Sequence, residues 1–236
     1  CVPTGITDVE RRAVEDAVIQ AGARDVLLIE EPLASIAGLR EDAFESNGNM
    51  VINIGGGITE IAVSSMGRIV TSKSIKVGGD YINKEIIEFI KEKNNVLIGE
   101  KTAEEIKINI GTLDTEKENQ EYTVMGRDMT TGLPINVIIH SQYISVIIQK
   151  AILQVIDGLR YVLERTPPEL VNDVIERGLL LTGGTSKIDN ISEFIMDYVS
   201  VPIEIDSNPF TSTVIGAGSF ITKFTEIKKT RIKKYS

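Results

Sequence analysis

The sequence has one cysteine, one histidine and no tryptophan among its 236 residues. The lone Cys1 excludes an internal disulfide framework and a metal site built from several cysteine thiolates. No apolar run reaches the roughly 18 residues that cross a bilayer, and no signal peptide is expected. Basic residues are not in excess, since the net charge is −9. Nucleic-acid binding is therefore not expected, and the single His140 is assigned no function.

Hydrophobic residues make up 42% of the chain and charged residues 25%, which is ordinary for a protein with a packed core. Apolar residues recur at helical spacing over residues 8–21. The all-apolar run at residues 26–29 predicts a strand buried on both faces. Pro32 fits the first turn of a following helix. Helix, strand and helix in this order indicate α/β architecture.

Three successive glycines, Gly55, Gly56 and Gly57, lie between two apolar strand patterns. Without Cβ atoms the backbone can pass close to a ligand, and free N–H groups in such a turn form an anion-binding concavity. A hairpin turn without a ligand is the alternative. A second turn follows another apolar strand and consists of Gly183, Gly184, Thr185 and Ser186. Two such turns at strand ends predict a nucleotide held between them.

The middle of the chain has a different pattern. Helices are predicted over residues 81–92 and 102–110, and a hairpin over residues 122–139. A long helix follows to about residue 164, where Pro167 and Pro168 stop it. The last predicted elements are a helix at residues 191–199, a strand at 201–205 and a helix at 213–225. We interpret residues 82–145 as an inserted α+β subdomain.

Six stretches occur in an order that resembles the MreB family, the bacterial actin-like shape-determining proteins. They are residues 2–12 (VPTGITDVERR), 28–32 (LIEEP), 54–57 (IGGG), 99–107 (GEKTAEEIK), 166–170 (TPPEL) and 181–184 (LTGG). The resemblance covers the whole chain and implies the actin/Hsp70/sugar-kinase ATPase fold, which is ribonuclease H-like. In that fold two halves close on ATP and Mg²⁺.

The resemblance also implies a division of the chain. Residues 1–45 and 215–236 correspond to part of the first subdomain, IA. Residues 46–81 and 146–214 correspond to the nucleotide-binding subdomain IIA, and residues 82–145 to the inserted subdomain IIB. The family has a first phosphate loop before the position of Cys1. Because the chain starts with Cys and Val2-Pro3 resembles a strand end, we expect it to begin inside the fold.

The resemblance assigns roles to matching residues. Gly55, Gly56 and Gly57 match the second phosphate loop, and Glu31 matches the glutamate that orients the attacking water. The alternative is that Glu31 only favours a helix N-terminus. The helix face of Glu104, Glu105 and Lys107 contacts ribose and adenine in the family, whereas a solvated ion-pair face is the alternative.

The second turn matches the family's adenosine-side turn, with roles for Gly183, Gly184, Thr185 and Ser186. The family has a third glycine where this chain has Thr185, and we expect Thr185 to cap the following helix. Nucleotide binding is expected to survive this change.

Two further departures bear on catalysis. Asn53 replaces the family's magnesium-linked aspartate, and hard divalent cations favour carboxylate oxygen. Ile58 replaces a threonine that helps to position the attacking water, and isoleucine cannot form a hydrogen bond. Our hypothesis is that the protein binds ATP and hydrolyses it slowly or not at all, so ATPase activity is doubtful.

The resemblance implies a cytoskeletal filament subunit that governs cell shape. Its partners would be further copies of itself, the inner face of the cell membrane and the cell-wall or shape machinery. The basic run at residues 228–234 is either a solvated terminus or a contact to anionic lipid. Alternative functions are an Hsp70-like ATPase or sugar-kinase-like phosphotransferase on the same fold, and a nucleotide-bound scaffold without turnover.

Overall fold

The computed structural model describes residues 1–234 and the side chains of residues 1–223. Its strands are β1 (Asn49–Ile54), β2 (Thr59–Ser65), β3 (Arg68–Ile75), β4 (Val96–Leu97), β5 (Glu121–Asp128), β6 (Pro134–His140), β7 (Leu179–Thr182) and β8 (Ile203–Ile205). Its helices are α1 (Asp8–Gln20), α2 (Glu31–Leu39), α3 (Gly79–Asn94), α4 (Glu100–Ile110), α5 (Ser141–Arg165), α6 (Pro168–Arg177), α7 (Ile191–Val199) and α8 (Ser212–Lys234).

The larger sheet has five strands in the order β3-β2-β1-β7-β8. Strands β1 to β3 form an antiparallel meander, whereas β7 is parallel to β1 and β8 is parallel to β7. Asn53 near the end of β1 is in register with Thr182 at the end of β7. The two glycine turns therefore leave neighbouring strands at the same edge of the sheet. In open α/β sheets this carboxyl edge is where ligands bind.

The smaller sheet has the order β4-β5-β6 and lies with α3 and α4. The β5–β6 hairpin and both helices form where the sequence predicts them, whereas the two-residue β4 was not predicted. One hydrophobic core continues from the larger sheet through α5 into this region. The subdomain boundaries at 82 and 145 stay a prediction.

The core is built mainly from isoleucine, valine and leucine. Helix α5 buries one face along its length, including Ile148, Ile152 and Leu159. Each fully buried side chain of this size contributes about 1.5–3 kcal/mol. At Gly158, a Cβ would lie 3.0 Å from Cδ1 of Ile61, so the missing side chain lets α5 lie close to β2.

The strand predicted at residues 26–29 does not form. The backbone makes only one isolated parallel bridge, between Val2 and Glu30, and Leu27 is 39% exposed. A ladder needs a run of facing backbone groups. In the described chain only the short segment around Val2 lies alongside, so local apolar pattern is not enough to make a strand. The expectation of burial on both faces was wrong.

Two other elements differ from the sequence prediction. The Pro167-Pro168 pair ends α5 as expected, but Pro168 also begins α6, which was not predicted. Proline suits a first helical turn because its missing N–H has no partner there in any case. Helix α8 continues past residue 225 to Lys234. The basic run at residues 228–234 lies outside the residues whose side chains are described.

Helices α2 and α8 pack closely at small residues. A Cβ on Gly216 would collide with the carbonyl oxygen of Ala34, and one on Gly38 with that of Ser212. The hydroxyls of Ser35 and Thr213 are hydrogen-bonded at 2.8 Å across the same contact. This crossing joins the start of the chain to its end. Within the described part of the chain, no helix combines the length and apolarity that a membrane span requires.

Candidate functional site

A cavity of about 670 Å³ opens at the carboxyl edge of β1 and β7. Of the residues singled out in the sequence, five line it, namely Gly56, Glu104, Lys107, Gly184 and Thr185. The cavity thus brings together the first glycine turn, helix α4 and the second glycine turn, which are far apart in sequence.

The first glycine turn has two free backbone donors. The N–H of Gly55 donates to the carbonyl of Ile58 at 3.0 Å and closes the β1–β2 hairpin. In the part of the chain that the structure describes, no acceptor takes the N–H of Gly56 or Gly57. None of the three glycines has a positive φ. Gly56 and Gly57 therefore have free donors for an anion, whereas Gly55 already uses its own.

Gly78, Gly79 and Asp80 support this turn from below. The N–H groups of Gly79 and Asp80 donate to the carbonyls of Gly55 and Gly56 at 3.0 and 2.9 Å. A Cβ on Gly78 would collide with the carbonyl of Gly56, so only glycine fits.

Asp80 also lines the cavity, which the sequence analysis missed. A Cβ built on Gly56 would lie 3.6 Å from the Asp80 carboxylate oxygens, so this carboxylate lies directly beside the first glycine turn. Asp80 lies in the first turn of α3, directly after two glycines that end an extended segment. That pattern was the available sign of a second loop at the same edge.

Lys107 is the buried cation of the site. Its side chain is 7% exposed, and Nζ donates to Glu104 Oε2 at 2.6 Å and to the Gly79 carbonyl at 3.2 Å. A solvated ion-pair face is thus excluded for Lys107. A buried ammonium needs such acceptors because desolvation is costly.

Glu104 completes the pair. Partial burial raises the pKa of the Glu104 carboxyl, but hydrogen bonds from Lys107 and from Asn83 Nδ2, at 2.7 Å, outweigh burial and lower it. Glu104 is therefore ionised at neutral pH. Glu105 is exposed and does not line the cavity, so only Glu104 and Lys107 of the predicted α4 face lie there.

The second glycine turn is held against the first. Gly183 has φ +88°, and a Cβ there would lie 2.6 Å from Asn53 Oδ1, so this position requires glycine. Thr185 Oγ1 donates to the Gly55 carbonyl at 3.1 Å. The expectation that Thr185 caps the next helix was wrong, since its hydroxyl instead joins the two turns. Ser186 is buried and donates to the Gly183 carbonyl at 2.7 Å.

None of the three residues predicted for catalysis is among those that line the cavity. Asn53 and Ile58 are half-buried on either side of the first glycine turn, and Glu31 is half-buried at the start of α2. Glu31 lies near Glu60, the cross-strand partner of Asn53.

Glu60 is a buried carboxyl in the centre of this group. Its Oε1 accepts from the N–H and hydroxyl of Thr4 at 2.6 and 2.9 Å, whereas Oε2 is buried and has no partner among the described residues. Burial raises the pKa of Glu60, and the charge of Glu31 raises it further, against the hydrogen bonds from Thr4.

The acidic side chains near the cavity offer few ligands for a metal ion. Among the described side chains, no group of three or more His, Cys, Asp or Glu could hold a metal alone. Magnesium that accompanies a nucleotide usually takes one or two carboxylates, several waters and phosphate oxygens. Asp80 beside Gly56 fits that requirement, and the amide oxygen of Asn53 is a weaker neutral donor.

Comparison with known proteins agrees with this geometry. The sequence profile of the MreB/Mbl protein family matches residues 1–229. The cell shape-determining protein Mbl of Bacillus subtilis is 38% identical over 232 residues, which is 98% of this chain and 70% of Mbl.

Solved structures show the same fold. MreB5 of Spiroplasma citri bound to ADP superposes with a TM-score of 0.91 and 32% identity, over 96% of this chain and 69% of MreB5. Its complex with AMPPNP also gives 0.91 at 32% identity, over 97% of this chain and 68% of MreB5. A MamK double helical filament has a TM-score of 0.78 at 16% identity, over 94% of this chain and 67% of MamK, and shares the fold alone. The chain belongs to the MreB/Mbl family and has its actin-like ATPase fold.

Proposed function

We propose that this protein is an actin-like cytoskeletal subunit that binds ATP with Mg²⁺ in the cavity and polymerises into filaments that govern cell shape. The observation that carries the proposal is the cavity between two glycine turns, which Gly56 and buried Lys107 line and where Gly56 and the adjoining Gly57 have free N–H groups. The nucleotide complexes of MreB5 and the name of Mbl support it.

The phosphates would lie on the first glycine turn, which supplies two N–H donors without side chains in the way. Lys107 and Glu104 would contact the ribose and base from α4, and Gly184 and Thr185 would close the opposite side. Asp80, with a water-mediated contribution from Asn53, would hold Mg²⁺. When bound, Mg²⁺ neutralises phosphate charge, which phosphoryl transfer requires.

Hydrolysis would be slow in this chain. Glu31 is retained and would orient the attacking water, but its partner position is Ile58, which has no hydrogen-bonding group. Asn53 has no charge with which to hold the cation. Phosphoryl transfer depends on a positioned nucleophile and on charge stabilisation, and both are weakened here. The protein would therefore keep ATP bound for a long time and would behave much like a nucleotide-bound scaffold without turnover.

The subdomain assignment is part of the same proposal. Residues 46–81 and 146–214 would form IIA around the five-stranded sheet, residues 82–145 would form IIB, and residues 1–45 with 215–236 would belong to IA. The separate three-stranded sheet and the α2–α8 crossing support these divisions.

The filaments would lie at the cytoplasmic face of the membrane, where the cell-wall and shape machinery acts. The basic run at residues 228–234 would contact anionic lipid, with a binding free energy of about 1 kcal/mol for each Lys or Arg near the surface. Co-sedimentation with vesicles of phosphatidylglycerol and phosphatidylcholine tests this contact. Deletion of residues 228–236 should abolish it, whereas unchanged sedimentation would refute it.

Filament formation is tested by sedimentation and electron microscopy with and without ATP and Mg²⁺. We expect ATP-dependent protofilaments from the wild type and none from Lys107→Met, because the substitution removes the buried cation. Lys101→Met changes an exposed lysine on the same helix and should polymerise normally. Soluble monomers under all conditions would instead favour a kinase-like or Hsp70-like function.

A further inference from the structure

Residues 111–120 form an irregular segment along one wall of the cavity, which we call the strap. It connects α4 to β5, and Gly111, Thr112, Lys117 and Gln120 from it line the cavity. Lys187, Ile188 and Asp189, which follow the second glycine turn, also line the cavity, and an isolated bridge between Thr112 and Asp189 sets them beside the strap. The strap and this segment therefore border the proposed nucleotide cavity together.

Both ends of the strap are fixed by backbone hydrogen bonds. At the first end, Leu113 N–H donates to the Asp189 carbonyl at 2.9 Å, and Thr112 and Leu113 are buried. At the last end, Gln120 N–H donates to Ser141 Oγ at 2.9 Å, and Ser141 N–H donates back to the Gln120 carbonyl at 2.8 Å. The middle of the strap is joined to the segment after the second glycine turn by one side chain of that segment.

That side chain is Asp189, whose Oδ2 accepts from two strap residues. Thr112 Oγ1 donates to it at 2.7 Å and Lys117 Nζ at 2.7 Å. The Lys117 and Asp189 side chains are 40% and 51% exposed, whereas Thr112 is buried. The Thr112 bond is thus the permanent anchor, and the Lys117–Asp189 ion pair is the part that water can open.

We propose that the Lys117–Asp189 pair is a clasp that holds the strap against the segment after the second glycine turn and sets how fast a nucleoside triphosphate enters and leaves the cavity. The inference rests on the proposed nucleotide site. Both residues act by positioning the strap. Because the pair joins two segments that both line the cavity, opening it frees the middle of the strap while leaving Gly56, Glu104 and Lys107 in place. Exchange should therefore become faster in both directions.

The test is stopped-flow fluorescence with a fluorescent ATP analogue and Mg²⁺ on the full chain. Asp189→Asn removes the charge but keeps an oxygen for Thr112, and Lys117→Met removes the ammonium but keeps the stem. In each variant, association and dissociation rates should both rise about two- to fivefold, the range of a partly exposed ion pair, with nearly unchanged Kd. Glu88→Gln, which removes the exposed pair with Lys91, should change neither rate.

The outcomes separate the clasp from the site itself. If dissociation became faster and association did not change, Asp189 would be a direct contact to the ligand, and the clasp would be overturned. Unchanged association and dissociation rates would also overturn the clasp. A wild type that binds no nucleotide would overturn the proposed function and the clasp's role in exchange together. A second readout needs no nucleotide: hydrogen exchange across residues 113–118 should accelerate in Lys117→Met, and unaltered exchange would show that the pair does not hold the strap.

Discussion

At the scale of single residues, the site combines retained and altered chemistry. Glu104 and Lys107 were predicted from the family resemblance together with their spacing on one helix face, and the structure brings them to the cavity as a pair. Asp80 was missed, because the two glycines before it indicate a loop at a strand end but do not show that the fold sets this aspartate beside Gly56. Asn53 and Ile58 are the two positions at which we propose that the chain lacks groups for holding Mg²⁺ and the attacking water.

Restoring those groups should restore turnover. The double variant Asn53→Asp/Ile58→Thr should release phosphate from ATP at least about tenfold faster than the wild type, because it regains a charged cation ligand and a hydroxyl for the attacking water. Single-turnover phosphate release is the measurement. Adding Glu31→Gln to the double variant should remove the gain. Equal rates in wild type and double variant would show that these positions do not limit hydrolysis.

Glu60 should give stability a pH dependence of known sign. Its folded-state pKa is raised by burial and by Glu31, so the folded protein holds a proton that the unfolded chain releases at lower pH. This contribution is present below the unfolded pKa and is lost as pH rises through the raised folded value. The free energy of unfolding in urea should therefore fall as the pH rises above the ordinary glutamate pKa of 4.5 and through the raised folded value.

Glu60→Gln is the matched variant, because it keeps the acceptor for Thr4 and cannot ionise. Its free energy of unfolding should decline less over that pH range. Glu105→Gln, at an exposed carboxylate, should retain the wild-type slope. Equal slopes for Glu60→Gln and wild type would refute a raised pKa at Glu60.

At the scale of elements, the helices and strands that formed as predicted are those whose sequence pattern is local. The glycine hairpin, α3, α4 and α5 formed as predicted, since their apolar spacing and end residues lie within each segment. The strand at residues 26–29 failed because a ladder depends on distant backbone. The α2–α8 contact was equally hidden, because nothing near Gly216 indicates that Ala34 packs there.

That contact predicts opposite effects for two glycines of α8. Gly216→Ala should lower the free energy of unfolding by about 1–3 kcal/mol, since its Cβ would overlap the Ala34 carbonyl. Gly218→Ala has open space and should raise it by about 0.5–1 kcal/mol through helix propensity. Urea denaturation of both variants measures this. A stabilising Gly216→Ala would contradict close packing of α2 on α8.

At the scale of the whole molecule, the order of six motifs was enough to predict an actin-like fold, and the family match confirms it. The sequence could not show which distant segments share the cavity. Thr112 and Asp189 are 77 positions apart and meet only because α4 and the second glycine turn border the same cavity. The contact between Thr112 and Asp189 could therefore be seen only in the folded structure.

The proposed function depends on nucleotide binding in the cavity between the glycine turns. Equilibrium titration of the full chain with ATP and Mg²⁺ by calorimetry tests it most directly, with Lys107→Met and Lys101→Met compared after circular dichroism confirms that both are folded. We predict one site per chain, with affinity lowered at least about tenfold in Lys107→Met, the loss expected for one charge-assisted contact, and unchanged in Lys101→Met. Equal affinity in all three proteins, or no binding by the wild type, would refute nucleotide binding in this cavity.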